Sequence, residues 1–186
     1  MSAIASKPQV ITPDEFERMP DAKGFELVEG RLVERRVSVE SSQIAAEIIY
    51  LLKAAVRASR EAVVFEAELA YCCHPDAPEK LRRPDVSLVR RERMAGVSPN
   101  ARVMPIPADL AVEVIAPTDR ACAVSEKIEE YIAAKFPLVW VVDPKTRTVT
   151  IHRQDGTVSK LHEPDTITGE SALPGFSCRV EEFFKS

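Results

Sequence analysis

The chain has 186 residues, which is enough for one domain with one hydrophobic core. Hydrophobic residues make up 45% of the sequence and charged residues 29%, a balance that excludes a disordered chain and an integral membrane protein. The net charge of −4 argues against a protein that coats nucleic acid indiscriminately, although it permits a local basic surface.

Targeting signals and cysteine usage indicate the compartment. The N-terminus lacks the long apolar region of a signal peptide, and no apolar run is long enough to span a bilayer. No C-x-x-C spacing occurs among the four cysteines, which are Cys72, Cys73, Cys122 and Cys178. We therefore expect a cytoplasmic protein with free thiols and no membrane partner. We expect it to fold as one domain over residues 1–186, with residues 1–10 flexible.

The first predicted elements are a short helix and a hairpin. TPDE at residues 12–15 is a capping box with proline at the first helical position, and it predicts a helix to about Met19. FELV at 25–28 and RLVE at 31–34 are joined by a glutamate and a glycine, which predicts a β-hairpin.

A long helix and a run of strands follow. Apolar residues recur at helical spacing over about residues 43–58, with Ser41 or Ser42 as the cap, so we predict an amphipathic helix there. Residues 62–72 favour strand, and residues 74–79 are predicted to form a loop.

Pro84 can begin the next strand, in which Val86 and Leu88 follow at period two. Residues 90–107 contain three prolines and are predicted to be mostly loop, with one helical turn near residues 91–95.

The second half predicts strand, helix, strand. Residues 109–115 favour strand, Thr118 or Asp119 caps a helix that ends before Pro137, and residues 138–142 read as a strand buried on both faces. Such a unit is a right-handed βαβ crossover with parallel strands.

The C-terminal part adds smaller elements. Residues 146–153 and 157–162 predict a second hairpin, and residues 174–184 predict a strand end and a short helix. The core order is therefore helix, strand, strand, strand, helix, strand. This order predicts an α/β or α+β fold with a mixed sheet.

Two of these strands carry a carboxylate that a purely structural strand would not need. The pleat puts Leu110, Val112 and Val114 on one face and Glu113 on the other, the side that Asp85 shares if the strands pair. Two buried carboxylates need a cation, and oxygen ligands suit Mg²⁺ or Mn²⁺. The alternative is that Asp85 is solvated at a strand end while Glu113 pairs with an arginine.

Basic residues flank the strand that begins after Asp85. They are Lys80, Arg82, Arg83, Arg90, Arg91 and Arg93. They can contact nucleic-acid phosphates, or they can form a solvated rim that compensates acidic neighbours.

Several sequence blocks together resemble the Uma-type family of restriction endonucleases, within the PD-(D/E)XK nuclease superfamily. The blocks are TPDEFERMP (12–20), FELVEGRLV (25–33), RPDVSLV (83–89), DLAVEVIAPT (109–118), EK with Tyr131 (126–131), VWVVDP (139–144) and LPGF (173–176). They follow the family's order across nearly the whole chain.

The resemblance implies a restriction-endonuclease-like αβββαβ core with additional hairpins, and it implies a set of site residues. Asp85 and Glu113 would bind the metal. The superfamily's lysine two residues after the second carboxylate is replaced here by Ile115, and the family places that role on the following helix, at Lys127. The alternative for Lys127 is a solvent-facing partner of an acidic neighbour. Glu26 would line the same pocket, or else be an exposed hairpin charge.

The implied activity is metal-dependent hydrolysis of DNA phosphodiester bonds, with Mg²⁺ or Mn²⁺ as the cofactor. Arg82, Arg83, Arg90 and Arg91 would contact flanking phosphates. A homodimer is expected, because cutting both strands needs two sites. The alternative is a vestigial nuclease fold that binds nucleic acid or protein, favoured by the missing in-strand lysine and the altered segment at residues 116–119. His74, His152 and His162 have no metal-ligand spacing and are expected at the surface.

Overall fold

The computed structural model of the chain describes residues 10–20, 22–72 and 80–185. The predicted loop at 74–79, which includes His74, lies outside the described residues. Cys73 and residues 1–9 of the segment predicted to be flexible also lie outside them.

The first helix, α1 (Pro13–Arg18), begins at the predicted capping box. The Thr12 side chain accepts a hydrogen bond from the Glu15 backbone N–H, and the Glu15 carboxylate accepts one from the Thr12 backbone N–H at 2.8 Å. The reciprocal pair satisfies two donors that the helix itself cannot.

The long helix, α2 (Val39–Ser59), begins earlier than predicted. Its N-cap is Ser38, whose hydroxyl accepts from the Ser41 backbone N–H at 3.0 Å, while the Ser41 hydroxyl accepts from the Ser38 N–H at 2.9 Å. Ser41 and Ser42 are therefore not the cap. The apolar periodicity misses the first turn because Val39 and Glu40 are exposed.

The third helix, α3 (Ala121–Ala133), begins after the predicted position. Its N-cap residue is Arg120, which makes no side-chain capping hydrogen bond, so the prediction of Thr118 or Asp119 as the cap is wrong. The Asp119 carboxylate instead accepts from the Ala116 backbone N–H at 2.7 Å and stabilises the turn that follows the preceding strand.

Thirteen short strands complete the described part of the chain. They are β1 (Phe25–Val28), β2 (Arg31–Glu34), β3 (Ala62–Glu66), β4 (Ala70–Cys72), β5 (Leu81–Arg82), β6 (Val86–Arg90), β7 (Val103–Met104), β8 (Leu110–Val114), β9 (Leu138–Asp143), β10 (Thr148–Arg153), β11 (Val158–His162), β12 (Thr166–Thr168) and β13 (Ser177–Arg179). Single 3₁₀ turns occur at Ala22–Gly24, Arg91–Met94 and Val180–Phe184.

The main sheet has six strands in the order β11-β10-β9-β8-β6-β3. It contains the predicted core in the predicted order, namely α2, β3, β6, β8, α3 and β9. As expected for a βαβ crossover, β8 and β9 are parallel, and the other neighbours in this sheet are antiparallel. A smaller sheet has the order β2-β1-β5-β4-β7, and β12 pairs with β13.

Residues 62–72 form two strands instead of the single strand predicted. A turn at Ala67 and Glu68 separates β3, which belongs to the main sheet, from β4, which belongs to the smaller sheet. The poor alternation of this segment reflects that break, because the two strands bury their side chains in different cores.

The main sheet is covered on both faces. Leu110, Val112 and Val114 pack with Ile48 and Leu52 of α2, as the pleat predicts. On the opposite face, Ala111 and Val139 pack with Tyr131 of α3 and with Phe136, which follows that helix. Glu113 of β8 lies on this second face. No helix in the described part of the chain is long and apolar enough to cross a membrane.

Candidate active site

Asp85 and Glu113 lie side by side on two neighbouring strands. Antiparallel β6 and β8 align Val86 with Val112 and Ser87 with Ala111, so one further step of this register brings Asp85 opposite Glu113. The structure thus brings together the two carboxylates that the sequence pattern paired. Each raises the cost of ionising the other, because two like charges share a poorly solvated site.

Asp85 is held by two donors. Arg35 Nη2 lies 2.6 Å from Oδ1, and the Val114 backbone N–H donates to Oδ2 at 2.8 Å. Burial raises the pKa of Asp85, while the Val114 N–H and the Arg35 charge partly oppose that effect. A cavity of about 270 Å³ opens beside this carboxylate, against the first turns of α2. Asp85 is therefore fixed in orientation and still reachable from solvent.

Glu113 is more deeply buried than Asp85, and it too has a donor on each oxygen. The Tyr131 hydroxyl donates to Oε1 at 2.6 Å, and Lys127 Nζ lies 3.1 Å from Oε2. The pKa of Glu113 is raised to about 7, chiefly by burial and further by the nearby carboxylates, while Lys127 and Tyr131 partly oppose the increase. Glu113 can therefore exchange a proton near neutral pH.

Lys127 reaches the site from α3. It precedes Tyr131 by one helical turn, so both side chains point from the same helix face onto β8. Its Nζ lies 3.1 Å from both a Glu113 oxygen and a Glu26 oxygen. Burial lowers the pKa of Lys127, but Glu113 and Glu26 raise it by more, so the ammonium stays charged. The structure does not place Lys127 in the solvent-facing pair that was its alternative.

Glu26 is a buried member of the same cluster. Its carboxylate accepts from Arg82 Nη1 and from the Arg83 backbone N–H, each at 3.0 Å, in addition to its contact with Lys127. Burial alone would raise the pKa of Glu26, but Lys127 and Arg82 hold it below its ordinary value. Glu26 is thus joined to Glu113 through the ammonium of Lys127, and it is not an exposed hairpin charge.

Arg82 and Arg83, which were predicted to contact phosphates, are both buried. Arg82 is 5% exposed and binds Glu26 and Glu130. Arg83 is 8% exposed; it donates to backbone carbonyls, and its guanidinium lies over the Phe16 ring. The Arg82 side chain therefore supports the acidic cluster from within, whereas Arg83 contributes its backbone N–H to Glu26.

Arg90 and Arg91 lie at the other end of β6. Arg90 pairs with Glu92 at 2.8 Å, and Arg91 donates to the Arg60 carbonyl at 2.9 Å. At about 3.3 Å per residue, Arg91 is about 20 Å from Asp85 along the strand. These residues therefore do not line the cavity beside Asp85.

Two residues of the cluster carried no functional prediction. Arg35 follows β2 in a segment without periodicity, and nothing in its neighbourhood indicated that it would reach a residue 50 positions away. Tyr131 was named only in a sequence block that resembles the family, with no role assigned to it. Its spacing of four residues from Lys127 was the available signal, since residues four apart share a helix face.

The donor set suits a hard divalent cation with few protein ligands. Among the described residues, no group of three or more His, Cys, Asp or Glu side chains is placed to hold a metal ion. Asp85 and Glu113 could hold one together, since Mg²⁺ is often bound by one or two carboxylates, with water and substrate phosphate completing its shell. Of the described histidines, His162 is exposed and His152 half-buried, on strands remote from this pair.

Comparisons with known proteins are in line with this architecture. A family model described as Uma2, "Putative restriction endonuclease", matches residues 13–181. The chain is similar to a solved structure from Anabaena variabilis, described as "a putative nuclease belonging to DUF820", with a TM-score of 0.79 and 21% identity over 94% of this chain and 97% of that one. At this identity the likeness establishes the fold. No curated protein matches the chain.

Proposed function

The chain belongs to the Uma2 family, described as "Putative restriction endonuclease", and from that premise we propose that it is a divalent-metal-dependent endonuclease that hydrolyses DNA phosphodiester bonds. Asp85 and Glu113 are the proposed metal ligands, and Lys127 is the proposed catalytic lysine. The proposed ion is Mg²⁺, with Mn²⁺ as its substitute.

One observation carries this proposal. Ile115 occupies the strand position where a PD-(D/E)XK site has its lysine, and a different lysine arrives at the carboxylates from α3. Lys127 Nζ lies 3.1 Å from Glu113 Oε2 although the two residues are 14 positions apart. Burying an ammonium and two carboxylates costs desolvation free energy. We take the presence of such a cluster as support for a functional role.

The residues present fit a magnesium ion. Asp85 and Glu113 are hard oxygen donors, and each oxygen keeps a free lone pair besides the hydrogen bond it accepts. When bound, the ion would activate a water and neutralise charge on the scissile phosphate. A dication would also relieve the repulsion between the two carboxylates.

The side chains around the pair have separate proposed roles. Lys127, still protonated at neutral pH, would orient the attacking water or stabilise the negative charge that develops on the phosphate. Arg35 and Tyr131 would act as positioning residues, each by fixing the orientation of one carboxylate. Glu26 would hold the Lys127 ammonium in place as its second carboxylate partner.

A cleavage assay on duplex DNA tests the proposal. The wild type is compared with Asp85→Ala, Glu113→Ala and Lys127→Ala in Mg²⁺, in Mn²⁺ and in a chelator. We expect cleavage only by the wild type and only with a divalent ion. Equal cleavage by all four proteins would exclude this site, and cleavage that survives the chelator would exclude the metal.

A second candidate function is a nucleic-acid-binding or protein-binding module that retains the fold without catalysis. The observation that favours it is that these carboxylates already have protein partners. Asp85 accepts a hydrogen bond from Arg35, and Glu113 accepts from Tyr131 and Lys127, so neither carboxylate depends on a metal ion for a partner. Titration calorimetry separates the two candidates. Heat of Mg²⁺ or Mn²⁺ binding that disappears in Glu113→Gln supports the enzyme, whereas no divalent-ion binding together with salt-sensitive DNA binding supports the module.

We further propose a homodimer and a cytoplasmic location. Two active sites would allow both strands of a duplex to be cut, and light scattering on the purified protein would test for the dimer. The three described cysteines, Cys72, Cys122 and Cys178, are free thiols, which suits a reducing compartment.

A further inference from the structure

A second charged surface lies at the end of β6 remote from Asp85. A cavity of about 600 Å³ opens there between the C-terminal half of α2 and β3, the edge strand of the main sheet. Its floor is apolar and includes Val56 and Val63. Its exposed border carries four cations, which we call the basic rim: Lys53, Arg57, Arg60 and Arg91.

The charges of the basic rim are not neutralised by the described part of the chain. Within it, no carboxylate lies at ion-pair distance from any of the four, and Glu61, which follows Arg60 directly, pairs with none of them. Other cations of this region are paired, as Arg90 is with Glu92. The chain as a whole is acidic, with a net charge of −4. An overall excess of basic residues therefore does not explain four cations without ion pairs on one border. Water and salt screen these exposed charges, and a bound polyanion would neutralise them.

The end of α2 does not account for the whole rim. Cations near the C-terminus of a helix interact favourably with its dipole, but that effect is confined to the last turn. It can explain Arg57 and Arg60. Lys53 lies more than one turn before the end of the helix, and Arg91 belongs to a different element. The four cations come from two parts of the chain, α2 with its C-cap and the turn after β6, and Arg91 is held towards the helix end by its hydrogen bond to the Arg60 carbonyl.

We propose that the basic rim binds the phosphate backbone of duplex DNA outside the segment that is cut, an inference that rests on the proposed function. Charge complementarity identifies the occupant, since guanidinium and ammonium groups around an apolar floor suit phosphates and deoxyribose. The separation of about 20 Å between Arg91 and Asp85 corresponds to about six base-pair steps along the axis of a DNA duplex. The cavity beside Asp85 and the cavity within the rim lie at the two ends of the same boundary between α2 and β3.

Binding is measured without cleavage, by fluorescence anisotropy on a labelled 24-base-pair duplex in a chelator at several salt concentrations. The test variant carries Lys53→Gln, Arg57→Gln, Arg60→Gln and Arg91→Gln. Its control carries Lys145→Gln and Lys160→Gln, two exposed cations near the opposite edge of the main sheet. A Lys53→Gln/Arg57→Gln double variant matches that control in charge and changes only exposed helix positions.

The logarithm of the affinity falls with the logarithm of the salt concentration. Each lost phosphate contact should reduce the magnitude of that slope by about 0.9 for duplex DNA. We expect a slope lower by about 3 for the fourfold variant and by about 1 to 2 for the double variant, with little change for the control. Unchanged slopes in the rim variants, an equal change in the control, or no binding of the duplex by the wild type would overturn the proposal. Loss of thermal stability with unchanged binding would overturn it too and assign the cations to the helix end.

The test of the basic rim can fail or succeed independently of the test of nuclease activity. A wild type that cuts DNA while the fourfold variant binds and cuts equally well contradicts the rim and leaves the nuclease intact. A wild type that never cuts DNA, but binds it through the rim, contradicts the nuclease and supports the rim. Rim-dependent binding to vesicles of anionic lipid, with no rim-dependent binding to DNA, would also overturn the proposal.

Discussion

Lys127 Nζ and Glu113 Oε2 are 3.1 Å apart, although one residue lies on a helix and the other on the strand before it. The chain between them turns at Pro117 and starts α3 without a side-chain cap, and Tyr131 of that helix also donates to Glu113. Ile115, two residues after Glu113 on the same face, packs against apolar neighbours. Two positions in the fold can therefore present a side chain to Glu113, one on the strand and one on the helix.

The first prediction concerns which of these positions must carry the lysine. We expect Lys127→Met to reduce cleavage by about 100-fold, because the developing charge on the phosphate loses its ammonium. Adding Ile115→Lys to that variant should restore part of the rate, since the ammonium then reaches Glu113 from the strand. The measurement is single-turnover cleavage at saturating Mg²⁺.

Thermal unfolding of the same variants serves as the control. Lys127→Met removes a shared cation from two buried carboxylates, which costs about 3 kcal/mol by analogy with other broken buried ion pairs. The rates are therefore compared at a temperature at which every variant is folded. A Lys127→Met protein as active as the wild type would contradict the role of this lysine.

The second prediction concerns Tyr131, which donates a hydrogen bond to Glu113 at 2.6 Å. This bond lowers the pKa of Glu113, which burial and the neighbouring carboxylates nevertheless raise to about 7 in the intact site. In Tyr131→Phe the pKa of Glu113 should rise, so the acid limb of the pH–rate profile should move to higher pH. We expect cleavage at pH 7 to fall by about tenfold, since the metal ligand must be ionised.

Tyr50→Phe is the matched control, because it removes the same hydroxyl group from a tyrosine that is 65% exposed on α2. Its pH–rate profile should coincide with that of the wild type. A lower rate in Tyr131→Phe without a shift of the acid limb would indicate a packing role and contradict the assignment of Tyr131 as a positioning residue.

Much of this arrangement was predictable from local patterns. The strand pleat placed Glu113 opposite the apolar face of β8, the parallel pairing of β8 with β9 followed from the helix between them, and the capping box at Thr12 began a helix as expected. In each case the deciding interactions lie within a few residues or within one supersecondary unit.

The interactions of the buried charges could not be predicted in the same way. Arg35 reaches Asp85, and Arg82 reaches Glu26, across 50 and 56 positions. The basic run around Asp85 looked uniform in sequence, yet Arg82 of β5 and Arg83 directly after it are buried while Arg91 stays exposed. Which cation faces solvent depends on which sheet a strand of two residues joins, and periodicity cannot resolve so short a strand.

The third prediction concerns Glu26 and pH. Lys127 and Arg82 hold the pKa of Glu26 below its ordinary value of 4.5 despite burial. A lowered carboxyl pKa in the folded state stabilises the protein above the unfolded pKa, and that stability is lost as the pH falls through the folded value. We expect Glu26→Gln to cost about 3 kcal/mol at pH 7, with a smaller difference from the wild type as the pH is lowered below 4.5.

Urea unfolding at several pH values measures this effect. Glu34→Gln is the control, because Glu34 is an exposed carboxylate of the same hairpin, and it should change stability by less than about 0.5 kcal/mol. A constant difference between Glu26→Gln and the wild type from pH 7 to pH 3 would contradict a lowered pKa of Glu26.

The fourth prediction concerns the start of α2, which brings Ser41 and Ala45 to the wall of the cavity beside Asp85. Ser38, not Ser42, caps this helix, and its hydroxyl accepts from the Ser41 N–H at 3.0 Å. Ser38→Ala should lower the free energy of unfolding by about 1 kcal/mol. Ser42→Ala should leave it nearly unchanged or raise it slightly, because alanine is the better helix former at an exposed position. Chemical unfolding of both variants measures the two free energies. A greater loss of unfolding free energy in Ser42→Ala than in Ser38→Ala would contradict Ser38 as the cap and would support the helix start predicted from apolar periodicity.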